Sequence, residues 1–462
     1  MQIPKEHPAA ADFKGVKVGA DGRIIPTAYN KIQTFENGKN PLEEIYVGTQ
    51  GSDNGNGTQS SPYATFAKAL SEAVPGTSVK ILPGTYEEFA SLLNLRATEN
   101  NPIWFGGVPG MERPVIKLKI PENGRGTEGI HVTKCSYVII HDIEVNGSCG
   151  HGLNTDDGGE FDNFEATHHI VYRNLYVHNI NDSPFKFAGA NYTYIFDCEV
   201  ENGHVTRSSG TIDHVGCHNN TIAYNYIHDP ADQDGQGVLF KGGSFGAKVY
   251  NNLFVNAGLA VTLGQHSGDN LFRPTLIKDN TMYEASDAIV YSNIFIGGKT
   301  SVVFGSSTKC YFVNNTVIKP SNFLFRVVRN SSNWEVLSNL GGAHDNIISN
   351  NIFCYGVEAI AEALNLGMFT EVKDYRTFVM QNNLFFNTDN QKDNKPNDLD
   401  LFLHEATVFQ DPLFADMSKN NFALQSESPA VKGGVNASFD FATEDFYGKK
   451  FADSRSIGAV QF

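Results

Sequence analysis

The chain has 462 residues, of which 44 are glycine and 45 are asparagine, and its formal net charge at pH 7 is −16. Glycine and asparagine rank low in helix propensity, so this composition disfavours long helices and favours short strands joined by turns. Hydrophobic residues make up 40% of the chain, which is enough for a large core and excludes a disordered protein. The acidic balance argues against a nucleic-acid partner, and the absence of an apolar run of about 18 residues argues against a membrane span.

The chain begins with a polar segment, residues 1–44, that has no hydrophobic pattern. We predict that it forms an arm lying over the surface of the protein. The first fifteen residues lack the apolar stretch of a signal peptide, so no export signal is visible in this sequence.

A short helix is predicted over residues 62–74. Phe66, Leu70 and Val74 are spaced four residues apart, as on one face of a helix. Ser61 is suited to be the N-cap and Pro62 the first helical residue. An amphipathic helix at this place would close the open end of a repeat structure.

One motif then organises most of the chain: an apolar residue, any two residues, Asn, any residue, and a second apolar residue. Copies that start at Ile195, Ile222, Val249 and Ile277 follow one another at steps of 27, 27 and 28 residues. The Asn positions of the copies are Asn174, Asn225, Asn252, Asn280, Asn293, Asn315, Asn351 and Asn383, with Asp142 and Cys198 at that position in two further copies.

This period identifies the architecture. Short apolar strands repeating every 20–30 residues are typical of a parallel β-helix, whereas a β-propeller has repeats of about 40–50 residues. Each coil buries its apolar face against its neighbours, and stacked Asn amides can bond to one another and to the backbone. We predict an all-β chain with a parallel β-helix over residues 45–405 and a C-terminal capping segment over residues 406–462, where the motif is lost.

Short segments with a recognisable sequence lie near both ends of the chain. They begin at Tyr46 (YVGTQGSDNGNGT), Ser61 (SPYAT), Pro83 (PGTY), Asp411 (DPLF), Ser428 (SPAV) and Ile457 (IGA). These segments resemble those of bacterial right-handed parallel β-helix proteins, many of which are polysaccharide lyases or related carbohydrate enzymes. The resemblance covers nearly the whole chain and implies a right-handed helix and a secreted, periplasmic or cell-surface location.

The central stretch contains the segments Lys241-Gly-Gly-Ser, Asn252-Leu-Phe-Val-Asn-Ala-Gly and Phe272-Arg-Pro. These segments are similar to the chondroitinase B and alginate lyase family of polysaccharide lyases. The resemblance implies that Lys241 is the catalytic base and that Asp234 occupies the place of one calcium ligand, while Gln236 replaces the other. The arginine of that family has no counterpart near Gln265, so Arg273 in the adjacent loop is the candidate.

The residues themselves point to a groove on one face of the helix. If Val238 and Phe240 face the core, alternation directs Lys241 outward. At coil spacing this lysine is joined by further polar residues. The candidates are His214 as a second catalytic group and Lys186, Asp213, Gln265 and His266 as substrate-binding groups. The register of His214 is ambiguous, because an inward Ile212 would also direct His214 inward and Asp213 outward.

Two acidic stretches are candidates for cation binding, since calcium takes 6–8 oxygen ligands. The first contains Asp232 and Asp234, which we assign as metal ligands, and the second runs from Asn154 to Glu160. Calcium is the only cofactor predicted. The second stretch also has the Asn-Thr-Asp of polygalacturonase-type glycosidases, but the other motifs of that family do not follow.

We therefore predict a monomeric enzyme that degrades a uronic-acid-containing polysaccharide by β-elimination. Two alternatives remain open. A glycoside hydrolase on the same scaffold would need a pair of carboxylates about 5–10 Å apart. A non-catalytic carbohydrate-binding or surface protein would show no focused cluster of reactive groups.

Overall fold

The computed structural model describes most residues of the chain. They are residues 16–18, 24–26, 32–118, 128–148, 150–201, 210–228, 235–265, 267, 272, 283–328, 341–356, 364–365, 377–435, 439–451 and 454–462. Three long sheets run through the described part, and in each of them every strand pairs in parallel with the equivalent strand of the next coil. This confirms the predicted all-β parallel β-helix.

The three sheets are numbered in the order in which the chain visits them within one coil. The strands of sheet 1 are Glu43–Val47, Thr77–Ile81, Ile103–Gly107, Ser136–His141, Thr167–Arg173, Ala190–Asn191, Tyr194–Phe196, Thr221–Ala223, Lys248–Tyr250, Ile289–Tyr291, Tyr311–Val313, Ile347–Ser349, Val379–Gln381 and Leu403–Glu405. The strands of sheet 2 are Thr85–Tyr86, Val115–Ile116, Glu144–Ser148, Tyr176–Ile180, Glu199–Glu201, Tyr226–His228, Leu253–Val255, Ile294–Ile296, Thr316–Ile318, Ile352–Tyr355 and Leu384–Asn387. The strands of sheet 3 are Ala90–Leu93, Ile130–Thr133, Leu153–Asp156, Phe185–Ala188, Gly210–Val215, Gln236–Lys241, Leu259–Gln265, Thr300–Phe304, Phe323–Val327 and Leu364–Asn365.

The remaining described elements are short. Ser244–Phe245, Ala285–Ser286 and Ser307–Thr308 pair in parallel at a corner of the helix. Val16–Val18 with Ile24–Pro26 and Phe414–Asp416 with Asn421–Leu424 form antiparallel pairs. The helical elements are α1 (Phe66–Glu72) and the 3₁₀ turns Leu399–Leu401 and Met417–Lys419. No helix within the described ranges is long and apolar enough to cross a membrane.

The predicted stack of asparagines is present at the corner between sheets 1 and 2. The Nδ2 of Asn252 donates to Oδ1 of Asn293 at 3.0 Å, and the same bond joins the other members in turn. Each amide also bonds to backbone, as Asn293 does to Val249 O at 2.9 Å. The members of this ladder are Asn225, Asn252, Asn293, Asn315, Asn351 and Asn383. Asn280, a further predicted member, lies outside the described residues.

Two of the predicted motif copies do not join this ladder. Strand pairing aligns Asn174 with Asp142 on one side and with Asp197 on the other, so Leu175 occupies the ladder position in that coil. Asn174 and Asp142 instead face outward and hydrogen-bond to each other. The assignment of these copies to the stack was wrong because in both coils the motif is shifted by one residue relative to its neighbours.

The N-terminal cap begins later than predicted. Helix α1 starts at Phe66, and its N-cap is Thr65, whose hydroxyl accepts a hydrogen bond from Lys68 N at 3.1 Å. Phe66 and Leu70 are buried in the core of the first coils, as predicted. Val74 lies beyond the end of the helix and is 53% exposed. Ser61 and Pro62 precede the helix, so they cap nothing.

Residues 32–36, within the predicted arm, lie on the outside of sheet 1. Ile32 is 6% exposed and packs in a cluster with Trp104, Ile139 and Val171. Glu36 accepts a hydrogen bond from Arg173 at 2.7 Å. The arm therefore covers outward apolar side chains of the early coils.

The C-terminal segment covers the side of the solenoid. Its apolar residues, such as Phe422 and Ile457, pack on the outer face of sheet 2, and Phe439 packs on the outer face of sheet 1. A second row of asparagines, each one residue before a member of the ladder, holds the C-terminal segment in place. Their side-chain amides donate hydrogen bonds to backbone carbonyls of that segment, and the residues are Asn251, Asn314, Asn350 and Asn382. The outer face of sheet 3 carries the charged residues described next.

Candidate functional site

The candidate site is built by the alternation of side chains along sheet 3. Phe187, His214 and Phe240 are register partners in successive strands and point into the core. The residues beside them, Lys186 and Lys241, therefore point outward. The polar face proposed from the sequence is present on this sheet.

A lysine cluster lies at the middle of this face and consists of Lys186, Asp213 and Lys241. Oδ2 of Asp213 is 2.5 Å from Nζ of Lys186 and 3.3 Å from Nζ of Lys241. The Asp213 side chain is 2% exposed, so the carboxylate is nearly enclosed by the two lysines. Two ammonium groups on one carboxylate leave this cluster with a net positive charge.

His214 does not reach this cluster. It is fully buried, with its ring stacked between Phe187 at 4.6 Å and Phe240 at 4.8 Å. Burial lowers its pKa to about 3. Lys241 pairs with Val215, a step of 26 residues, and not with His214 at the 27-residue step that the repeat predicts. This one-residue difference sends His214 inward, so its assignment as a catalytic group is wrong, while Asp213 faces out as expected.

Gln265 stands beside Lys241, as predicted. The two residues are register partners, and a bulge between Phe240 and Lys241 shifts the pairing there. Gly264 makes the bulge possible, because its φ of +88° disfavours side chains and an added Cβ would lie 2.5 Å from Ser306 O. The bulge re-aims the end of the strand toward the lysine cluster.

Glu284 was not predicted, although it supports the strand end that carries Lys241. Its carboxylate accepts hydrogen bonds from Gly242 N and Ser267 N, both at 2.6 Å. Burial raises its pKa to about 7, against the opposing effect of these bonds and of Lys241. It ties the turn after Lys241 to the segment after Gln265, and it follows an insertion that interrupts the repeat, which is why spacing did not reveal it.

A second cluster lies on the same face, and most of it was not predicted. This acidic cluster consists of Glu128, His131, Asn154 and Asp156. Nδ2 of Asn154 donates to Glu128 Oε1 at 2.9 Å and to Asp156 Oδ2 at 3.2 Å. His131 contacts both carboxylates, with Nε2 2.8 Å from Asp156 and Nδ1 3.5 Å from Glu128. Asn154 and Asp156 belong to the acidic stretch noted in the sequence, whereas Glu128 and His131 precede the clear repeats.

The environments of the two carboxyl groups in the acidic cluster differ. Burial raises the pKa of Glu128. The pKa of Asp156 is lowered, because hydrogen bonds from His131, Thr133 and the Gly158 backbone outweigh its burial. The hydrogen bond with Asp156 raises the pKa of His131. The cluster therefore keeps a fixed negative charge next to a histidine that readily protonates.

Four predicted site residues cannot be placed. Arg273, His266, Asp232 and Asp234 lie outside the described residues. Within the residues that are described, no group of three or more His, Cys, Asp or Glu side chains is arranged to hold a metal ion. Calcium binding by Asp232 and Asp234 stays a prediction.

The β-helix can be compared with known proteins. Residues 45–249 match the family model of the Pel9A-like, right handed beta helix region. The fold is a right-handed parallel β-helix of the kind that this model describes. Pectate lyase Pel9A is similar in structure with a TM-score of 0.54 and 14% identity, covering 92% of this chain and 97% of that one. The predicted resemblance to right-handed β-helix carbohydrate-active proteins is confirmed.

Two further matches extend this comparison. The GH136 lacto-N-biosidase from Eubacterium ramulus has a TM-score of 0.53 and 14% identity, covering 80% of this chain and 68% of that one. The β-helix of this chain is thus similar in fold to both a lyase and a biosidase. In sequence, 82 residues are 35% identical to the uncharacterized protein YwoF of Bacillus subtilis (strain 168), which is 18% of this chain and 17% of YwoF. That match covers less than a fifth of either protein.

Proposed function

We propose that this protein cleaves a uronic-acid-containing polysaccharide by β-elimination on the outer face of sheet 3, with Lys241 as the base. The observation that carries the proposal is the lysine cluster, in which two lysines share one nearly enclosed carboxylate. The shorter ion pair binds Asp213 to Lys186, which leaves Lys241 as the less tightly held amine. Similarity of fold to pectate lyase Pel9A supports the same chemistry.

The elimination assigns a task to each group. Lys241 takes the proton from the carbon next to the uronate carboxylate, the bond from the neighbouring carbon to the glycosidic oxygen breaks, and a carbon–carbon double bond forms. The leaving oxygen takes a proton from solvent. Lys186 offsets the charge of the uronate carboxylate, which otherwise keeps the proton too weakly acidic. Gln265 offers its amide to a sugar hydroxyl beside Lys241.

Replacing the base tests this assignment. The Lys241→Ala variant should lose activity by about a hundredfold to ten-thousandfold, the usual contribution of a general base. The measurement is the ultraviolet absorbance of unsaturated uronate products across a panel of acidic polysaccharides. Lys248→Ala is the matched control, because Lys248 is an exposed lysine on sheet 1.

Two results would overturn the proposal. One is full activity in a folded Lys241→Ala variant, with folding checked by circular dichroism. The other is the appearance of new reducing ends without unsaturated products, which would indicate hydrolysis.

The proposal includes three expectations from the sequence. The enzyme is exported, since its polymeric substrate lies outside the cell, it acts as a monomer, and calcium contributes through Asp232 and Asp234. A chelator should lower activity if the calcium prediction holds, and added calcium should restore it. An unchanged rate in chelator would remove calcium from the proposal.

A further inference from the structure

The acidic cluster adjoins the lysine cluster along the axis of the solenoid. Asn154 and Lys186 are register partners in neighbouring strands, and Asp213 follows in the next strand. His131 lies one strand before Asn154. Parallel strands are about 4.8 Å apart, so the stripe from His131 to Lys241 extends over about 19 Å. A polysaccharide lying along this face would contact both clusters.

The two clusters carry opposite charge. In the acidic cluster one histidine contacts two carboxyl groups, so with both of them ionised the cluster is negative whether or not His131 is protonated. In the lysine cluster two lysines form ion pairs with one aspartate. The side chains of Glu128, His131 and Asp156 are 24–29% exposed, so solvent and sugar can reach them. The sign of the charge thus reverses within a few strands.

This reversal restricts which polymer fits. A pyranose in an extended chain advances by roughly one strand spacing, so neighbouring sugars face neighbouring coils. A chain built only of uronates would place a carboxylate against Glu128 and Asp156, and like charges brought together at a binding surface strongly disfavour association. A neutral sugar would accept and donate hydrogen bonds there, and an amino sugar would add an attraction.

We propose that the substrate is a heteropolysaccharide, in which a uronate lies at the lysine cluster and a neutral or amino sugar lies at the acidic cluster. This rests on the proposed function, because it uses the lysine cluster as the site of the uronate. Glu128 and Asp156 are then the residues that select the neighbouring sugar.

Binding and cleavage should be measured separately. Affinity is measured by calorimetry on a Lys241→Arg variant, which keeps the positive charge of the lysine cluster but cannot lose a proton to act as a base, so it leaves the polymer intact. The ligands are length-matched polygalacturonate, rhamnogalacturonan backbone and hyaluronan. The alternating polymers should bind about tenfold or more tightly than polygalacturonate at low salt. Cleavage of the same polymers by the wild-type enzyme reports on the proposed function alone.

The Glu128→Gln and Asp156→Asn substitutions, combined, remove the charge with little change in shape. They should raise the affinity for polygalacturonate about tenfold and leave that for rhamnogalacturonan nearly unchanged. Asp287→Asn is the matched control, since Asp287 is an exposed acid in a left-handed turn away from this face. The affinities of the Asp287→Asn variant for these polymers should equal those of the protein with an unchanged acidic cluster.

The outcomes separate the two proposals. Two results would show that the heteropolysaccharide proposal is wrong. One is tighter binding of polygalacturonate than of the alternating polymers by the protein with an unchanged acidic cluster. The other is no gain in affinity for polygalacturonate when Glu128→Gln and Asp156→Asn are combined. Since the first of these comparisons needs no substitution in the acidic cluster, it holds even if that variant does not fold. Absence of unsaturated product from every polymer, with the binding preference intact, overturns the elimination and leaves the specificity of the face standing.

Discussion

A difference of one residue in strand pairing decides which side chains form the site. Val215 pairs with Lys241, so Lys241 and Asp213 share the outer face while His214 turns inward. His214 is enclosed by two phenylalanine rings, where an imidazolium has no favourable surroundings. The histidine is therefore a core residue, and its chemistry matters for stability.

The His214→Leu variant should keep full activity and lose part of the pH dependence of folding. The pKa of His214 is about 3 in the folded protein and 6.5 in the reference state, so protonation favours unfolding as pH falls below 6.5. Between about pH 7 and pH 5 the wild type should lose about 1–2 kcal/mol that the variant retains. Urea unfolding at both pH values measures this.

Loss of activity in the folded variant would return His214 to the site. Equal pH dependence of the free energy of unfolding in the wild type and in His214→Leu would show that the burial of His214 does not control it.

The sequence revealed the lysine side of the site because Lys186, Asp213 and Lys241 follow the repeat. It could not set their register, since a step of 26 residues between coils in place of 27 leaves no signal in the pattern. Glu128 and Glu284 were missed for related reasons: the first precedes the clear repeats, and the second follows an insertion of irregular length.

At the scale of the element, the asparagine ladder supplies polar contacts that run along the core. Asn293 accepts hydrogen bonds from the backbone and side chain of Asn252 and donates to Asn315. It is fully buried, so each bond replaces one that water would make. The ladder was predictable from the sequence because its members have identical chemistry at identical positions.

Asn293→Ala should destabilise the protein by about 2–4 kcal/mol, since it leaves buried partners on both sides unsatisfied. Chemical denaturation monitored by circular dichroism measures the loss. Asn322→Ala is the control, because Asn322 is exposed and outside the ladder. A loss in Asn293→Ala no larger than in the control would mean that the ladder is not a source of stability.

At the scale of the whole molecule, the C-terminal segment covers outer faces of sheets 1 and 2 of the solenoid. It buries apolar residues of sheet 2 such as Ile294 and Ile352 beneath Phe422, Ala459 and other side chains. The sequence indicated that the motif ends near residue 405, and Leu403–Glu405 is the last strand of sheet 1. It did not show that the chain then turns back along the sides, because no local pattern encodes a contact so distant in sequence.

Phe422→Ala should cost about 3–5 kcal/mol, the usual range for a buried phenylalanine. Phe422 is fully buried, whereas Phe462, whose replacement by alanine is the control, is 55% exposed. Thermal unfolding of the two variants provides the measurement. Similar melting temperatures for both variants would contradict the packing described for this segment.

The second row of asparagines has a consequence for how the protein unfolds. In a simple repeat array each coil depends only on its neighbours, so the end can fray one coil at a time. Here Asn251 and Asn382, which are separated by several coils, both bond to the same returning segment. The last coil cannot open without releasing a segment that also holds a coil near the middle. The coils between them should exchange their amide hydrogens together, as one cooperative unit, and resist proteolysis from the C-terminal end.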